Sequence, residues 1–349
     1  MMASVAAGAS IAVLPWIRPG AARGLLGDGS SVDSLALPGQ IGDATPYVTA
    51  TGTPCWQVAA YAGTPDNYRY VLCLLPQSLD IATATPTVMA MHGLTALETQ
   101  IVGTLNSRGV RTGVAGLVDS WLDRGWAVVA PRMGSDVKIN PTTGKKTGIN
   151  FPCGNAESRL GLLDVHRWMQ AAWTPDPRGL LVLSQSMGTV AALNHAIAAR
   201  AESLPLAAVY SVDGATNLAY LRTRGTAAIK KAIRNAYRLS NTCVAGDPEW
   251  IAKVGGHDPQ NVEADQYSVM AIRLAASGND PTVNKVNNSV LWHNTFSPTW
   301  PAECSRRDYA GGHCASGHFN VADVNGFFTR ALEFVPATTT TTAPEAMPE

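Results

Sequence analysis

The chain has 349 residues, of which 46% are hydrophobic and 15% are charged. This length and composition suffice for one large buried core, so we expect one main domain. The 26 basic and 26 acidic side chains balance to a formal net charge of zero, which excludes a general electrostatic attraction to nucleic acid, and we predict no nucleic-acid partner.

The two ends of the chain differ in composition from the rest. Residues 1–50 predict an arm or linker, and its Ala-rich start at 1–17 resembles the apolar part of an export signal without a preceding Lys or Arg. Pro15 and Arg18 interrupt this stretch, so no membrane span is predicted. The Thr-rich residues 337–349 predict a flexible tail. We expect a secreted, extracellular protein, with a cytoplasmic or virion-associated location as the alternative.

Six cysteines are scattered along the chain, without the paired Cys-x-x-Cys spacing of a zinc site. Cys314 and two nearby histidines form an incomplete ligand set, so we expect no metal and no other cofactor. Six small buried thiols are one interpretation. An oxidising compartment would allow disulfides, and the pairs considered are Cys55 with Cys73, Cys304 with Cys314, and Cys153 with Cys243.

Between the two ends, the apolar pattern predicts the order of the elements. Residues 55–61 and 68–75 flank a turn-forming segment at 63–67 and predict an antiparallel hairpin. Short apolar runs then alternate with helical stretches, which predicts an α/β fold with a doubly wound, mostly parallel sheet. The predicted strands are residues 87–91, 126–130, 179–183, 206–212 and 270–276, and the predicted helices are residues 118–124, 157–171, 187–201 and 321–335.

The segment at about 214–267 is too long for an ordinary crossover and contains a basic helix at 226–238. Insertions at this place commonly cover the carboxyl ends of the strands, where open α/β sheets bind ligands. We therefore predict a small helical cap within a domain at 51–336. A surface helical hairpin without a role at the site is the alternative.

Ser186 is the candidate nucleophile. An apolar strand runs into Ser184-Gln185-Ser186-Met187-Gly188, and an apolar helical stretch follows. This order of strand, sharp turn and helix is typical of a nucleophile elbow, whose strained turn requires small residues two positions before and two after the serine. Gly188 meets this demand, and Ser184 is small but is not the usual glycine. A helix-capping serine is the alternative interpretation.

Serine needs a neighbouring imidazole as its base, and the imidazole needs a carboxylate to orient it. A glycine-rich loop before the last predicted helix carries two histidines. Asn320 and Asp323 can cap that helix and fix His318 just outside its start, so His318 is the predicted base. His313 is the reserve candidate in the same loop.

Asp280 is the predicted acid, because it follows the strand at 270–276 in a loop that would lie beside the histidine loop. It also precedes Pro281, so a helix-capping role is compatible with the catalytic one. Asp213, at the end of the preceding strand, is the competing candidate.

Two backbone amides are candidates for stabilising an oxyanion. One belongs to Met187, directly after the proposed nucleophile, and the other belongs to Leu94 in the turn after an early strand. His92 in that turn is expected to shape the turn rather than to act as a base.

Together these features resemble the α/β-hydrolase superfamily in its order of serine, acid and histidine, over about residues 55–335. The resemblance implies Ser186 as nucleophile, Asp280 as acid, His318 as base, and Leu94 and Met187 as oxyanion donors. We predict hydrolysis of a carboxylic ester, small or carried on a polymer, through an acyl-enzyme. An exopeptidase or amidase with the same triad is one alternative. The other is a non-catalytic module of the same fold, held in a larger assembly by its terminal arms.

Overall fold

The computed structural model describes residues 44–49, 51–62, 69–94, 98–103, 113–133, 135–139, 146–149, 153–299 and 303–334. The predicted export segment at 1–17, most of the N-terminal arm, the hairpin turn at 63–67 and the tail at 337–349 lie outside the described residues. Among the described residues, no helix has both the length and the apolar character needed to cross a membrane.

The described residues form eleven strands and eight α-helices. The strands are β1 (Thr45–Val48), β2 (Pro54–Ala62), β3 (Arg69–Pro76), β4 (Thr87–Met91), β5 (Ala127–Pro131), β6 (Ser135–Ile139), β7 (Lys146–Ile149), β8 (Leu180–Gln185), β9 (Leu206–Val212), β10 (Ala271–Ser277) and β11 (Cys304–Tyr309). The helices are α1 (Ala115–Asp123), α2 (Ala156–Ala172), α3 (Gly188–Ala201), α4 (Leu218–Arg224), α5 (Ala227–Ala236), α6 (Pro248–Lys253), α7 (Leu291–Phe296) and α8 (Val321–Phe334).

Nine of these strands form one sheet in the order β1-β2-β3-β5-β4-β8-β9-β10-β11. The neighbours from β5 to β11 pair in parallel, and β1, β2 and β3 add an antiparallel edge. The predicted mostly parallel α/β sheet and its hairpin are therefore confirmed. β1 lies within the segment predicted as an arm, and β11 had no counterpart among the predicted strands.

Helices cover both faces of the sheet. Trp121 of α1 and Phe327 and Phe328 of α8 belong to a buried core cluster with alternate residues of the central strands. On the other face, α2 packs against α3, and α3 contacts β8 and β9. Burial on both faces explains why β4, β8 and β9 are nearly continuous apolar runs.

The segment at 214–267 contains α4, α5 and α6, and α5 matches the predicted basic helix. Apolar side chains of these helices, including Leu218, Ile233 and Trp250, form one buried cluster with Met187 and Val190 at the start of α3. The segment therefore packs at the carboxyl end of β8, where α3 begins.

The disulfides considered from the sequence are not formed, because all six cysteines are free. In the β2–β3 pairing Cys55 stands opposite Pro76 and Cys73 stands opposite Val58, so the two thiols do not face each other. Cys304 and Cys314 are separated by the full length of β11. The secretion that disulfides would have supported remains a prediction.

Candidate active site

Ser186 lies in the turn between β8 and α3 and has a left-handed backbone with φ of 50°. Its amide donates to the carbonyl of Val212 at 2.9 Å, which ties the turn to the end of β9. A non-glycine residue in this conformation is strained unless its surroundings hold it there. The residue is only 8% exposed at the carboxyl edge of the sheet.

Ser184 occupies the elbow position at which glycine is usual. Its hydroxyl lies 3.1 Å from the hydroxyl of Thr189, which in turn lies 2.8 Å from that of Ser211. All three residues are fully buried. The extra hydroxyl is therefore satisfied by hydrogen bonds inside the protein and does not prevent the turn.

His313 is the imidazole that meets the serine. Its Nε2 lies 2.9 Å from Ser186 Oγ, and its Nδ1 lies 2.5 Å from Asp280 Oδ2. The next residue, Cys314, is left-handed with φ of 50°, so the chain turns sharply just after the ring. The His313 side chain is 21% exposed, which leaves it open to a ligand.

The prediction that His318 would lie against Ser186 is corrected by this geometry. The His318 ring is completely buried, with Nδ1 2.8 Å from Asp213 Oδ2 and Nε2 3.1 Å from the carbonyl oxygen of Ala310. The expected helix cap does form, because Asn320 Oδ1 accepts the amide of Asp323 at 2.9 Å. The contacts with Asp213 and Ala310 hold the His318 ring inside the protein, and the reserve candidate His313 is the histidine that lies against Ser186.

Asp280 lies where the sequence placed it, in the loop after β10. Its Oδ1 accepts the amides of Thr282 and Val283 at 2.7 and 2.9 Å, which leaves Oδ2 for His313. Burial alone would raise the pKa of Asp280, but hydrogen bonds from His313 and from these amides outweigh it and lower that pKa below its usual value. The carboxylate is therefore ionised at neutral pH.

Asp213, the competing acid, contacts His318 and not His313. Its Oδ1 accepts the amide of Ser277 at 2.6 Å, and its Oδ2 accepts the amide of Cys314 at 2.5 Å as well as the His318 ring. The loops thus contain two separate carboxylate–imidazole pairs, and only the Asp280–His313 pair reaches the serine.

The turn after β4 lies directly beside the nucleophile. A Cβ built on Gly93 would lie 3.1 Å from Cβ of Ser186, and Leu94 follows in the same turn. His92 shapes this turn as expected, with Nδ1 2.8 Å from the carbonyl of Gly93 and Nε2 accepting the amide of Met133 at 2.9 Å. Burial lowers the pKa of His92 to about 4, so the ring is neutral at neutral pH.

Asp213, His313 and Cys314 bring possible metal-ligating atoms within 4.8 Å of one another. Hydrogen bonds already engage these atoms: the two oxygens of Asp213 accept from Ser277, Cys314 and His318, and the His313 ring bridges Asp280 and Ser186. The Cys314 thiol lies 3.9 Å from the carbonyl oxygen of Val212. A metal held by this group would have to break the row from Asp280 to Ser186. We therefore interpret the cluster as a hydrogen-bonded network.

One feature of the sequence itself favours His313. Gly311 and Gly312 precede it, and Gly311 has φ of 124°, a conformation that favours glycine. A Cβ on Gly311 would also lie 3.3 Å from Nε2 of His318. Recognising β11 would have placed His313 in the loop directly after a strand of the sheet, where a catalytic side chain is expected.

The fold is shared with solved structures of low sequence identity. A prolyl endopeptidase matches with a TM-score of 0.58 and 12% identity over 82% of this chain and 44% of its own. The fluorophosphonate-binding serine hydrolase F of Staphylococcus aureus matches at 0.53 and 14% over 80% of this chain and 98% of its own. An S-formylglutathione hydrolase of Agrobacterium tumefaciens matches at 0.55 and 12% over 83% and 98%.

The coverage differs between these neighbours, since the chain spans less than half of the prolyl endopeptidase and nearly all of the two smaller enzymes. No known family profile matches the sequence, and no curated protein sequence matches it either. At these identities the likeness establishes the shared fold.

Proposed function

We propose that this chain, which has the α/β-hydrolase fold, is a serine hydrolase that cleaves carboxylic esters. Ser186 is the nucleophile, His313 the base and Asp280 the orienting acid. The observation that carries the proposal is the hydrogen-bonded row at the carboxyl edge of the sheet, with 2.9 Å from Ser186 Oγ to His313 Nε2 and 2.5 Å from His313 Nδ1 to Asp280 Oδ2.

The row supports a defined proton path. The Asp280 carboxylate accepts a hydrogen bond from Nδ1–H of His313, which leaves Nε2 free to accept the hydroxyl proton of Ser186. As the serine oxygen attacks the ester carbonyl, His313 takes that proton and then donates it to the departing alcohol. In the second step the same ring takes a proton from water as the water oxygen attacks the acyl carbonyl, and it returns that proton to Ser186 Oγ as the carboxylic acid leaves.

The amides of Leu94 and Met187 are the proposed oxyanion donors. Met187 directly follows the nucleophile, and the Gly93–Leu94 turn packs against Ser186. His92, neutral and hydrogen-bonded on both ring nitrogens, supports the conformation of this turn. Two preorganised amides would stabilise the negative charge that develops on the carbonyl oxygen.

Apolar side chains packed against the cluster that includes Met187 favour an ester with an apolar acyl group. Leu94, Ala219 and Tyr220 are partly buried at the edge of the apolar cluster that includes Met187. Such a surface would hold an alkyl or aryl chain while the carbonyl lies at Ser186. A peptidase or amidase remains the enzymatic alternative, because a prolyl endopeptidase shares the fold.

A fluorophosphonate probe combined with short p-nitrophenyl esters tests the proposal. We expect wild type to be labelled and to release p-nitrophenol, and Ser186→Ala to lose both. Ser184→Ala is the matched control, because its hydroxyl is buried against Thr189 and does not meet His313. Unlabelled wild type, or equal labelling of Ser186→Ala, would favour the non-catalytic module.

The choice between ester and amide needs matched substrates. A p-nitrophenyl ester and a p-nitroanilide with the same acyl group differ only in the leaving group. Esters hydrolyse faster than anilides even without enzyme, and this ratio of uncatalysed rates is measured in buffer. We expect the ratio of kcat/KM for the ester to that for the anilide to exceed it. Preference for the anilide after that correction would select the amidase.

A further inference from the structure

Asp213 is a buried carboxylate that joins three separate segments at the carboxyl edge of the sheet. It directly follows β9 and has a left-handed conformation with φ of 47°, and its side chain has no exposed area. Its oxygens accept the amide of Ser277, the amide of Cys314 and the ring of His318. Ser277 leads into the loop of Asp280, whereas Cys314 and His318 belong to the loop of His313.

His318 faces a hydrogen-bond acceptor at each ring nitrogen. Asp213 Oδ2 lies 2.8 Å from Nδ1, and the carbonyl oxygen of Ala310 lies 3.1 Å from Nε2. The His318 ring therefore links Asp213, directly after β9, to Ala310 at the start of the histidine loop. Both side chains of this pair are completely buried, so neither contact is exposed to solvent.

These contacts tie the histidine loop at both ends. His318 holds the loop start through Ala310, and Asp213 holds the residue after His313 through the amide of Cys314. The hydroxyl of Ser277 also donates to the carbonyl of Gly311. The backbone is thus fixed on both sides of His313, whose own side chain points to Ser186.

We propose that the buried, hydrogen-bonded Asp213 and His318 are a positioning pair that holds His313 in register with Ser186 and Asp280. This inference rests on the proposed serine-hydrolase function. Neither residue touches the reacting serine; both act through the loop. Because a misplacement of about 1 Å can lower a rate by about 100-fold, a loosened loop should reduce kcat more than substrate binding.

Three variants separate this role from a general contribution to folding. Asp213→Asn places an amide nitrogen where the partners of Asp213 all donate hydrogen bonds to it. His318→Leu removes the contacts of His318 with Asp213 and with Ala310. His318→Asn keeps a donor near the position of Nδ1 and should be the milder change. Asp176→Asn is the control, because Asp176 is also buried and accepts the amide of Arg178, but it lies at the amino end of β8.

The measurement is kcat and KM on a p-nitrophenyl ester, with kcat expressed per fluorophosphonate-titrated site and folding followed by circular dichroism. We expect kcat to fall about 10- to 100-fold in Asp213→Asn and His318→Leu, with KM within about threefold of wild type. His318→Asn should recover at least half of that loss on a logarithmic scale. Asp176→Asn should keep the wild-type kcat per titrated site.

Folded Asp213→Asn and His318→Leu with wild-type kcat per site would overturn the inference while leaving the proposed function intact. An equal loss of kcat in Asp176→Asn would also overturn it. If Asp213→Asn does not fold, the His318→Asn and His318→Leu comparison decides. If wild type is neither labelled nor active, the proposed function is wrong, and the positioning role is then wrong as well.

Discussion

A Cβ added to Gly188 would lie 2.5 Å from the carbonyl oxygen of His92. Real Cβ atoms do not approach a carbonyl oxygen so closely, so α3 must begin with glycine for β8 and the turn after β4 to pack side by side. The same turn carries Gly93 and Leu94, and its contact with α3 therefore sets the distance between the proposed oxyanion donors and Ser186.

Gly188→Ala should lower both activity and stability. The added methyl group would push the elbow away from the His92 carbonyl, and overpacking of this kind typically destabilises by about 1–3 kcal/mol. Chemical denaturation and ester hydrolysis would measure the two losses. Gly256→Ala is the control, since nothing lies within 4 Å of its added Cβ. Wild-type kcat in Gly188→Ala would contradict the close approach.

His313→Ala should abolish turnover with little effect on folding. Loss of the base of a serine triad lowers kcat by about 1,000-fold or more. Because the His313 ring is partly exposed, its removal should change the thermal midpoint of unfolding only slightly. His318→Ala is the comparison in the same loop, with a smaller fall in kcat and a larger fall in stability because its ring is buried. The reverse order of kcat losses would restore His318 as the base.

The sequence predicts the position of His318 along the chain but not the direction in which its ring points. Asn320 caps α8 as expected, and the capping argument correctly placed His318 at the entry to that helix. A cap defines where a helix begins, but it does not define which way the preceding ring points. Asp213, distant in sequence, decides that direction by binding His318.

The strands show the same division between local pattern and tertiary contact. β4 and β9 have the predicted bounds, because strands buried on both faces are continuous apolar runs. β11 has the sequence Cys-Ser-Arg-Arg-Asp-Tyr and forms an edge strand next to β10. Its polar residues lack the apolar run or alternation that predicts a strand. The strand is instead held by its pairing with β10 and by ion pairs such as Arg307–Asp323.

Asp280→Asn should reduce kcat strongly and leave KM nearly unchanged. An amide oxygen at this position accepts a weaker hydrogen bond from Nδ1–H of His313 than a carboxylate does. The amide nitrogen can instead donate to Nδ1, which favours the tautomer of His313 with its proton on Nε2. A fall in kcat of about 1,000-fold or more is expected. Steady-state kinetics on the p-nitrophenyl ester would measure it.

The comparison with Asp213→Asn assigns the acid. The Asp213 change should be milder, about 10- to 100-fold, because it acts through the loop backbone. A larger kcat loss in Asp213→Asn than in Asp280→Asn would identify Asp213 as the acid and contradict the hydrogen bond pattern described above.

We expect His195 to make the stability of the protein sensitive to acid. It lies in α3 with its ring centroid 5.4 Å from that of His166 in α2, and neither of its ring nitrogens has a hydrogen-bond partner within the described part of the chain. Burial lowers the pKa of His166 to about 4 and that of His195 well below its usual value. Since both pKa values are lower in the folded state, the unfolded chain binds these protons first as pH falls, and stability is lost below about pH 6.5.

His195→Leu should therefore flatten this part of the pH dependence. Leucine fills a similar volume without a buried polar atom that lacks a partner, so the variant should be at least as stable as wild type at pH 7.5. Between pH 7.5 and pH 5 the free energy of unfolding of wild type should fall by about 1–2 kcal/mol more than that of the variant. The unfolded variant lacks His195 and therefore takes up one proton fewer in this range. Urea unfolding at the two pH values measures the difference, and parallel losses in both proteins would show that His195 does not control it.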